Sequence, residues 1–566
     1  MKEIEVPVLI VGGGPVGMMG ALLFEQRGVE ALVAERYASR LGAPKAHALN
    51  SRSLEICNAA GLPMRDVIDF ATPTEEGANV RFMTNLSGTE IGSLPYERQD
   101  DGVLEFTPWK LVNIQQPDFE VVLERELKGA KKARLQRELE WLGCDAVTDS
   151  VVSYLRDHAT GEDLRVRSRY LIAADGAGSG VRDASGIKML GPEALAHYAT
   201  IHFEADLSAI VKDRPAILYF LFGLGLGSTL IAYDIHKTWV MMQVYDPGTT
   251  SFSEFDEATC RGLVRKAVGA DVDIDLKGIG PWTMSGQVAS AYKSRNVFLA
   301  GDAAHRFPPS GGLGLNTGLA DIENLAWKIA AVERGEAAEQ LLDTYGSERQ
   351  RIALTNTNQS IANSMQMRKL ARALNLEVGE KADLATIEAL ANDPAKRAEL
   401  DEAVAAQRDH FDSLRLQLGY IYGENGGLDE TLPVSVYKPH CIAGAYLPHQ
   451  VLSNGGSTLG LVAPVGVTLI AGPKVANAAY LGDDTGINAS VQIEGRDFNL
   501  ASGSWSETMD IPASGAVLVR PDRHILFVWD GTPDGLTRMR EVHSGYFSMP
   551  EKALAVAGSE KQASIR

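Results

Sequence analysis

Cysteine is scarce: there are four in 566 residues, Cys57, Cys144, Cys260 and Cys441, with no CxxC pair and no metal-type spacing. Neither a disulfide framework nor a structural zinc is expected, and a reducing cytoplasm suits this usage. Positive charge is also short. The 54 Lys and Arg stand against 73 Asp and Glu, a net charge of −19. Such a surface repels a phosphate backbone and an anionic bilayer, so neither nucleic acid nor membrane is expected as a partner. The N-terminus has no cationic region and no small-residue cleavage site, which argues against secretion. Long apolar runs are nearly absent. Residues 215–233 are uncharged over the length of a spanning helix, but Gly223, Gly225 and Gly227 between β-rich flanks predict two strands joined by a glycine turn. Sequons at Asn85, Asn358 and Asn488 carry no weight without a secretory route. What remains, 45% hydrophobic, 22% charged and 7% aromatic, is the composition of ordinary folded domains.

The informative residues begin at the N-terminus. Residues 6–11 (VPVLIV) read as a buried parallel strand, followed by Gly12-Gly13-Gly14-Pro15-Val16-Gly17 and the helix-forming MMGALLFEQRG. Strand, GxGxxG, helix is the order that a dinucleotide-binding turn requires. Gly12 permits the turn, Gly14 lets the backbone approach a pyrophosphate, Gly17 lets helix and strand pack, and Val16 sits in the helical turn whose N-terminus faces the anion. A second strand ends in Glu35, placed to accept from a ribose hydroxyl, with Arg36 beside it.

Two later strands run into acidic turns. One is RYLIAADGAGSGVRDASGI, which carries Asp175-Gly176; the other is NVFLAGDAAHRFPPSGGLGLNTG, which carries Gly301-Asp302. With these segments in this order the chain resembles the single-component flavoprotein aromatic hydroxylases, in the branch of phenol hydroxylase, 2,4-dichlorophenol hydroxylase and 2-hydroxybiphenyl monooxygenase. The resemblance implies bound FAD, NADH or NADPH as a transient co-substrate, and O2. It assigns Asp302 to the ribityl chain, and Pro309, Gly312, Gly314, Leu315 and Asn316 to the loop and helix start against the flavin. It gives Asp175 and Gly176 to a motif serving both FAD and NAD(P)H, and makes Gln116 a flavin contact, where a plain helix-start polar residue is the competing reading. His305, after the GDA motif, is read as structural.

The segment Pro44 to Glu55 is similar to the family's PRA…RTLE stretch, with Lys45 in place of the usual Arg, a point charge where a planar fork is common. His47 falls where phenol hydroxylase-like members place a residue beside the substrate hydroxyl. An unperturbed imidazole, with a pKa near 6.5, can take a phenolic proton at pH 7 and make the ring a better nucleophile. A lone histidine is otherwise most often structural.

The fold class expected is α/β. A Rossmann-like FAD-binding domain, discontinuous over 1–75, 110–190 and 285–360, carries an inserted antiparallel-sheet substrate domain, 76–109 and 190–284. A helical region, 361–422, a linker, 423–443, and a C-terminal domain, 444–566, complete the chain. The last resembles the thioredoxin-like domain of the phenol hydroxylase branch, without CxxC and so without redox chemistry. The charged tract 381–410 reads as a solvated helix face. The roof sheet is expected to supply an apolar pocket from residues such as Tyr219, Phe222, Trp239 and Trp282, although aromatics in strands are usually core. Trp282 is the candidate for substrate contact.

The resemblance implies hydroxylation of a phenolic aromatic through a flavin C4a-hydroperoxide, by a cytoplasmic homodimer without a metal. Two other readings share the fold: a non-oxygenating FAD oxidoreductase, and a polyketide-tailoring hydroxylase acting on a larger fused ring.

Overall fold

The computed structural model describes residues 2–40, 42, 45–376, 383–423, 426–428, 431–475 and 489–548. Pro44, Asn488 and residues 549–566 lie outside them. The first strand, Lys2–Val11, is fully buried at Val8, Leu9 and Ile10. A strand apolar on both sides needs both faces of its sheet covered, the environment of a parallel sheet. It pairs in parallel with Ala31–Glu35 on one side and with Glu162–Ala173 on the other. Ala133–Arg137 and Val297–Leu299 extend the sheet outward, again in parallel. The helix Pro15–Gln26 covers the sheet and crosses the helix Leu313–Glu333 closely. A Cβ on Gly20 would lie 2.6 Å from Ile322 Cγ1, so the crossing depends on glycine.

A second sheet of seven strands roofs the first unit, in the order Asp275–Met284, Ala196–Glu204, Thr238–Tyr245, Thr229–Ala232, Leu218–Leu221, Asn79–Met83 and Glu90–Pro95. Its side chains alternate. Tyr219, Trp239, Met241 and Phe203 pack under the helix Glu257–Val268, while Leu218, Phe220, Ile231 and Met242 face a cavity. The sheet is mixed where an antiparallel one was expected, because Leu218–Leu221 pairs in parallel with Asn79–Met83. These two strands belong to separate insertions, so no hairpin fixes their relative direction. The uncharged run folds as the antiparallel pair Leu218–Leu221 and Thr229–Ala232. Gly225 and Gly227 between them hold φ of +96° and +95°. No helix among the described residues is long and apolar enough to cross a membrane.

Helices follow, led by Thr344–Ala373, then a C-terminal sheet in the order Ala489–Ile493, Val467–Ala471, Ala516–Val519, Ile525–Trp529. Its first pair is parallel and the other two are antiparallel, and the helix Pro533–Ser548 comes after. Buried ion pairs lock this sheet to the helices Leu313–Glu333 and Thr344–Ala373. Arg520 lies 2.6 Å from Glu348, Lys328 2.7 Å from the same carboxylate, and Arg523 2.9 Å from Glu323, which also pairs with Arg52. Burial alone would raise the Glu348 carboxyl, but Arg520 and Lys328 hold it down at about 2.

Candidate active site

A cavity of about 2180 Å³ opens between the C-terminal ends of the parallel strands, the roof sheet and the helices beyond residue 360. A single small-molecule site occupies roughly 300–1,000 Å³, so this cavity has room for a dinucleotide and a second ligand together.

Its dinucleotide end is shaped by missing side chains. A Cβ on Gly12 would lie 2.2 Å from Ala174 O, and one on Gly17 would lie 2.0 Å from Gly12 O, so those two glycines are filled in by the protein itself. A Cβ on Gly14 would meet nothing within 4 Å, which leaves that space to a ligand. Gly14 also caps the helix Pro15–Gln26 without a side-chain hydrogen bond and without an acidic residue in the first turn. The free amides there fit a pyrophosphate. Glu35 is fixed at the end of its strand by Gly13 N–H and Tyr37 N–H, which donate to its two oxygens at 2.7 and 2.9 Å.

The other FAD-side residues converge from elsewhere. Asp175 Oδ2 accepts from Val181 N–H at 3.2 Å, whereas its Oδ1 is buried without a partner and is thus suited to a ligand hydroxyl. Burial raises the Asp175 carboxyl, and hydrogen bonds from Ser179 and Val181 oppose the rise. Gly176, Asp302, Pro309, Leu315, Val16, Arg36 and Lys45 line the same cavity. Gln116 lines it from the start of the helix Gln116–Gly129, its Nε2 donating to Glu120 at 2.8 Å. A second uncapped N-terminus faces the cavity at Leu313–Glu333, where Gly312 has φ of +61° and a Cβ on Gly314 would meet open space. Two helix N-termini, an orphaned carboxylate oxygen and glycine-shaped voids together fit a flavin dinucleotide.

The side chain of Asn316 is engaged within the protein. Its Oδ1 accepts from Asn50 N–H and Ser53 Oγ–H at 3.0 and 2.6 Å, and its Nδ2 donates to Ala48 O and Gly312 O at 3.0 and 2.6 Å. All its amide atoms are engaged, so the side chain clamps residues 48–53 to the helix start and has none left for a cofactor. His305 also stands behind the site: its Nε2 lies 2.9 Å from buried Asp321, whose other oxygen accepts from Arg349 Nε at 2.8 Å.

At the roof end, His47 Nδ1 lies 3.0 Å from Asn113 Oδ1. Asn113 Nδ2 donates to Gly77 O at 3.2 Å, which fixes the amide and makes Oδ1 the acceptor. Nδ1 of His47 therefore carries the hydrogen, and Nε2 keeps its lone pair. Burial pushes the His47 pKa down to about 4, with the Asn113 bond opposing, where an unperturbed value was expected. The ring sits between Tyr96 at 5.7 Å and Tyr233, edge-on at 5.9 Å.

Phe222 and Trp282 line the cavity, the latter 5.5 Å from Tyr198. Tyr219 and Trp239 do not. They point to the opposite face of the sheet and belong to the core under the helix Glu257–Val268, which corrects the expectation that they line the pocket. Sequence reasoning missed Tyr96, Phe220, Tyr233, His410 and Phe411 as lining residues. His410 ends the tract read as a solvated helix face and Phe411 follows it, yet both are buried. The uncharged His-Phe pair at the end of that tract was the one available signal.

The FAD binding domain family model matches residues 5–360. The chain is 31% identical to a 2,4-dichlorophenol 6-monooxygenase of Cupriavidus pinatubonensis, over 93% of each chain. It is 30% identical to a tetracenomycin B2 monooxygenase-dioxygenase of Streptomyces olivaceus, over 94% of this chain and 97% of that one. Among solved structures, the flavin-dependent monooxygenase PieE in complex with FAD and substrate superposes with a TM-score of 0.89 at 30% identity, covering 97% of this chain and all (100%) of that one. The ternary complex of aklavinone-11 hydroxylase with FAD and aklavinone gives 0.79 at 25% identity, over 97% and 100%. With the family model matched over residues 5–360 and relatives matched along nearly the whole chain, the protein belongs to the FAD-dependent aromatic hydroxylases.

Proposed function

We propose that the protein hydroxylates a phenolic ring held between the roof sheet and the loop Gly312–Leu315, with His47 as the proton acceptor. The observation that carries this reading is the His47 tautomer, with Nδ1–H committed to Asn113 and Nε2 left as a lone pair in the cavity wall. Bound FAD supplies the redox chemistry with NADH or NADPH and O2. Gly12, Gly14 and Glu35 would hold its pyrophosphate and ribose, Asp175 and Asp302 its hydroxyls, and the amides at Gly314 and Leu315 its ring. Leu218, Ile231 and Met242 keep water from the reacting ring.

The low pKa of His47 changes the step that an ordinary imidazole would perform. A phenol ionises near 10, well above the lowered value of His47, so full transfer to His47 ahead of the reaction is unfavourable. His47 would therefore take the proton as charge leaves the hydroxyl, and no free phenolate would accumulate beforehand.

His47→Ala is expected to lower kcat/KM for hydroxylation about 100-fold while FAD content stays intact, with more hydrogen peroxide per NAD(P)H consumed. The check is oxidation of NADH and NADPH across a panel of phenols with peroxide quantified; unchanged coupling would remove His47 from the mechanism. A fused-ring substrate is the second reading, favoured by the length of the cavity from Trp282 to Phe220 along the roof.

The division into domains, a homodimer and a cytoplasmic location belong to the same proposal. So does a thioredoxin-like C-terminal unit, which the order of its four strands and the parallel first pair support. Sedimentation velocity tests the dimer.

A further inference from the structure

We propose that His410 is a second polar anchor of the substrate chamber, recognising an oxygen function at the end of the ring system remote from the hydroxyl that faces His47. This rests on the aromatic-hydroxylase reading above. His410 lies in the short helix Arg408–Phe411, is only 5% exposed, and lines the cavity. Its ring stacks on Phe411 at 4.1 Å and stands 6.1 Å from Phe220.

Other inward-facing histidines have one ring nitrogen held. His47 is held by Asn113, His305 by Asp321 and His524 by Asp522 O. By contrast, no described residue hydrogen-bonds a His410 ring nitrogen, and Nδ1 is buried without a partner. Burial also keeps the ring neutral, its pKa lowered to about 3, so it offers one donor and one acceptor. With Nδ1 shut inside the wall, a ligand that reaches the other ring nitrogen, Nε2, gains a hydrogen bond that the protein does not supply.

The roof register separates the strand positions beside the two histidines, and Tyr96, 5.7 Å from His47 and 6.3 Å from Phe411, links them along the wall. Phe220 pairs with Thr229 and Leu218 with Ile231; Tyr233, edge-on to His47, continues the same face two residues further on. At about 3.4 Å per residue, Thr229 and Tyr233 are roughly 14 Å apart. Between the ends the wall is apolar, formed by Leu218, Ile231, Val240 and Met242. A single-ring phenol seated at His47 leaves His410 unmet. A fused-ring phenol with a hydroxyl or carbonyl at its far end meets both, and a site built around such a bond rejects an analogue that lacks it.

The test uses the FAD-loaded full-length enzyme and the perturbation of its flavin absorbance by 1-naphthol and by 1,5-dihydroxynaphthalene. The expected result is that wild type binds the diol at least tenfold more tightly than the naphthol, and that His410→Leu, with FAD retained, brings the ratio close to one. No preference in wild type, a measurement that needs no variant, overturns the proposal, as does the same preference in His410→Leu. Hydroxylation by His47→Ala is followed in parallel with both compounds. A fall there alongside a failed His410 test rejects the second anchor alone, whereas no fall rejects the reading on which it rests.

Discussion

At the scale of single residues, His47 shows how a motif position acquires its chemistry from outside the motif. Its place in the chain was legible, but its tautomer and its pKa of about 4 depend on Asn113, Gly77 and burial under the roof, which no local pattern encodes. A pH profile follows from that value. His47 is neutral above its pKa and is lost as a base when pH falls through about 4, so the kcat/KM for hydroxylation should show no step near 6.5 and should decline only in the acid limb. An inflection near 6.5 that disappears in His47→Ala would mean the ring is solvated. Asn316 teaches the complementary lesson: the motif located its backbone correctly at the helix start, while its side chain turned out to be spent on residues 48–53. His410 escaped notice because a charge-rich tract precedes it, and only packing against Phe220 and Phe411 reveals its position.

At the scale of elements, the glycines of the first turn divide into two kinds, one closed off by protein atoms and one facing open space, the division that their positions in the GxGxxG turn lead one to expect. Gly17→Ala places a Cβ 2.0 Å from a backbone oxygen and should destabilise the protein by more than about 3 kcal/mol, read as a lowered denaturation midpoint even without FAD. Gly14→Ala meets no protein atom within 4 Å, so the midpoint of the FAD-free protein should stay within about 1 kcal/mol of wild type while FAD affinity falls at least tenfold. Equal loss of stability in both would refute the assignment of that space to a cofactor. Strand–turn–helix order was readable because glycine spacing and apolar runs are local. The roof was harder. Alternation along its strands identifies two faces, but both are apolar, one against the helix Glu257–Val268 and one against the cavity. Nothing in Leu218-Tyr219-Phe220 itself tells which of the two aromatics meets the substrate.

At the scale of the whole molecule, the ion pairs of Lys328, Glu348 and Arg520 join segments far apart in the chain and were invisible to any motif. Glu348→Gln should cost about 3–5 kcal/mol, because it leaves two buried cations short of a partner. The Glu348 carboxylate has a folded pKa of about 2, below its ordinary 4.5. Its contribution is therefore fully present above about 4.5 and lost as pH falls through about 2. Urea titrations of wild type and variant at pH 7 and pH 3 would show the difference narrowing at the lower pH. A difference independent of pH would mean that the pairing contributes little.

The order of strands in the first sheet also sets a timetable for synthesis. Lys2–Val11 lies between Ala31–Glu35, which leaves the ribosome early, and Glu162–Ala173, which in turn awaits Val297–Leu299. At about 5–20 residues per second, that wait is on the order of tens of seconds, during which an apolar strand offers an unpaired edge to any neighbour. Translation speed and chaperone supply, as much as the final free energy, should decide how much of each nascent chain becomes enzyme.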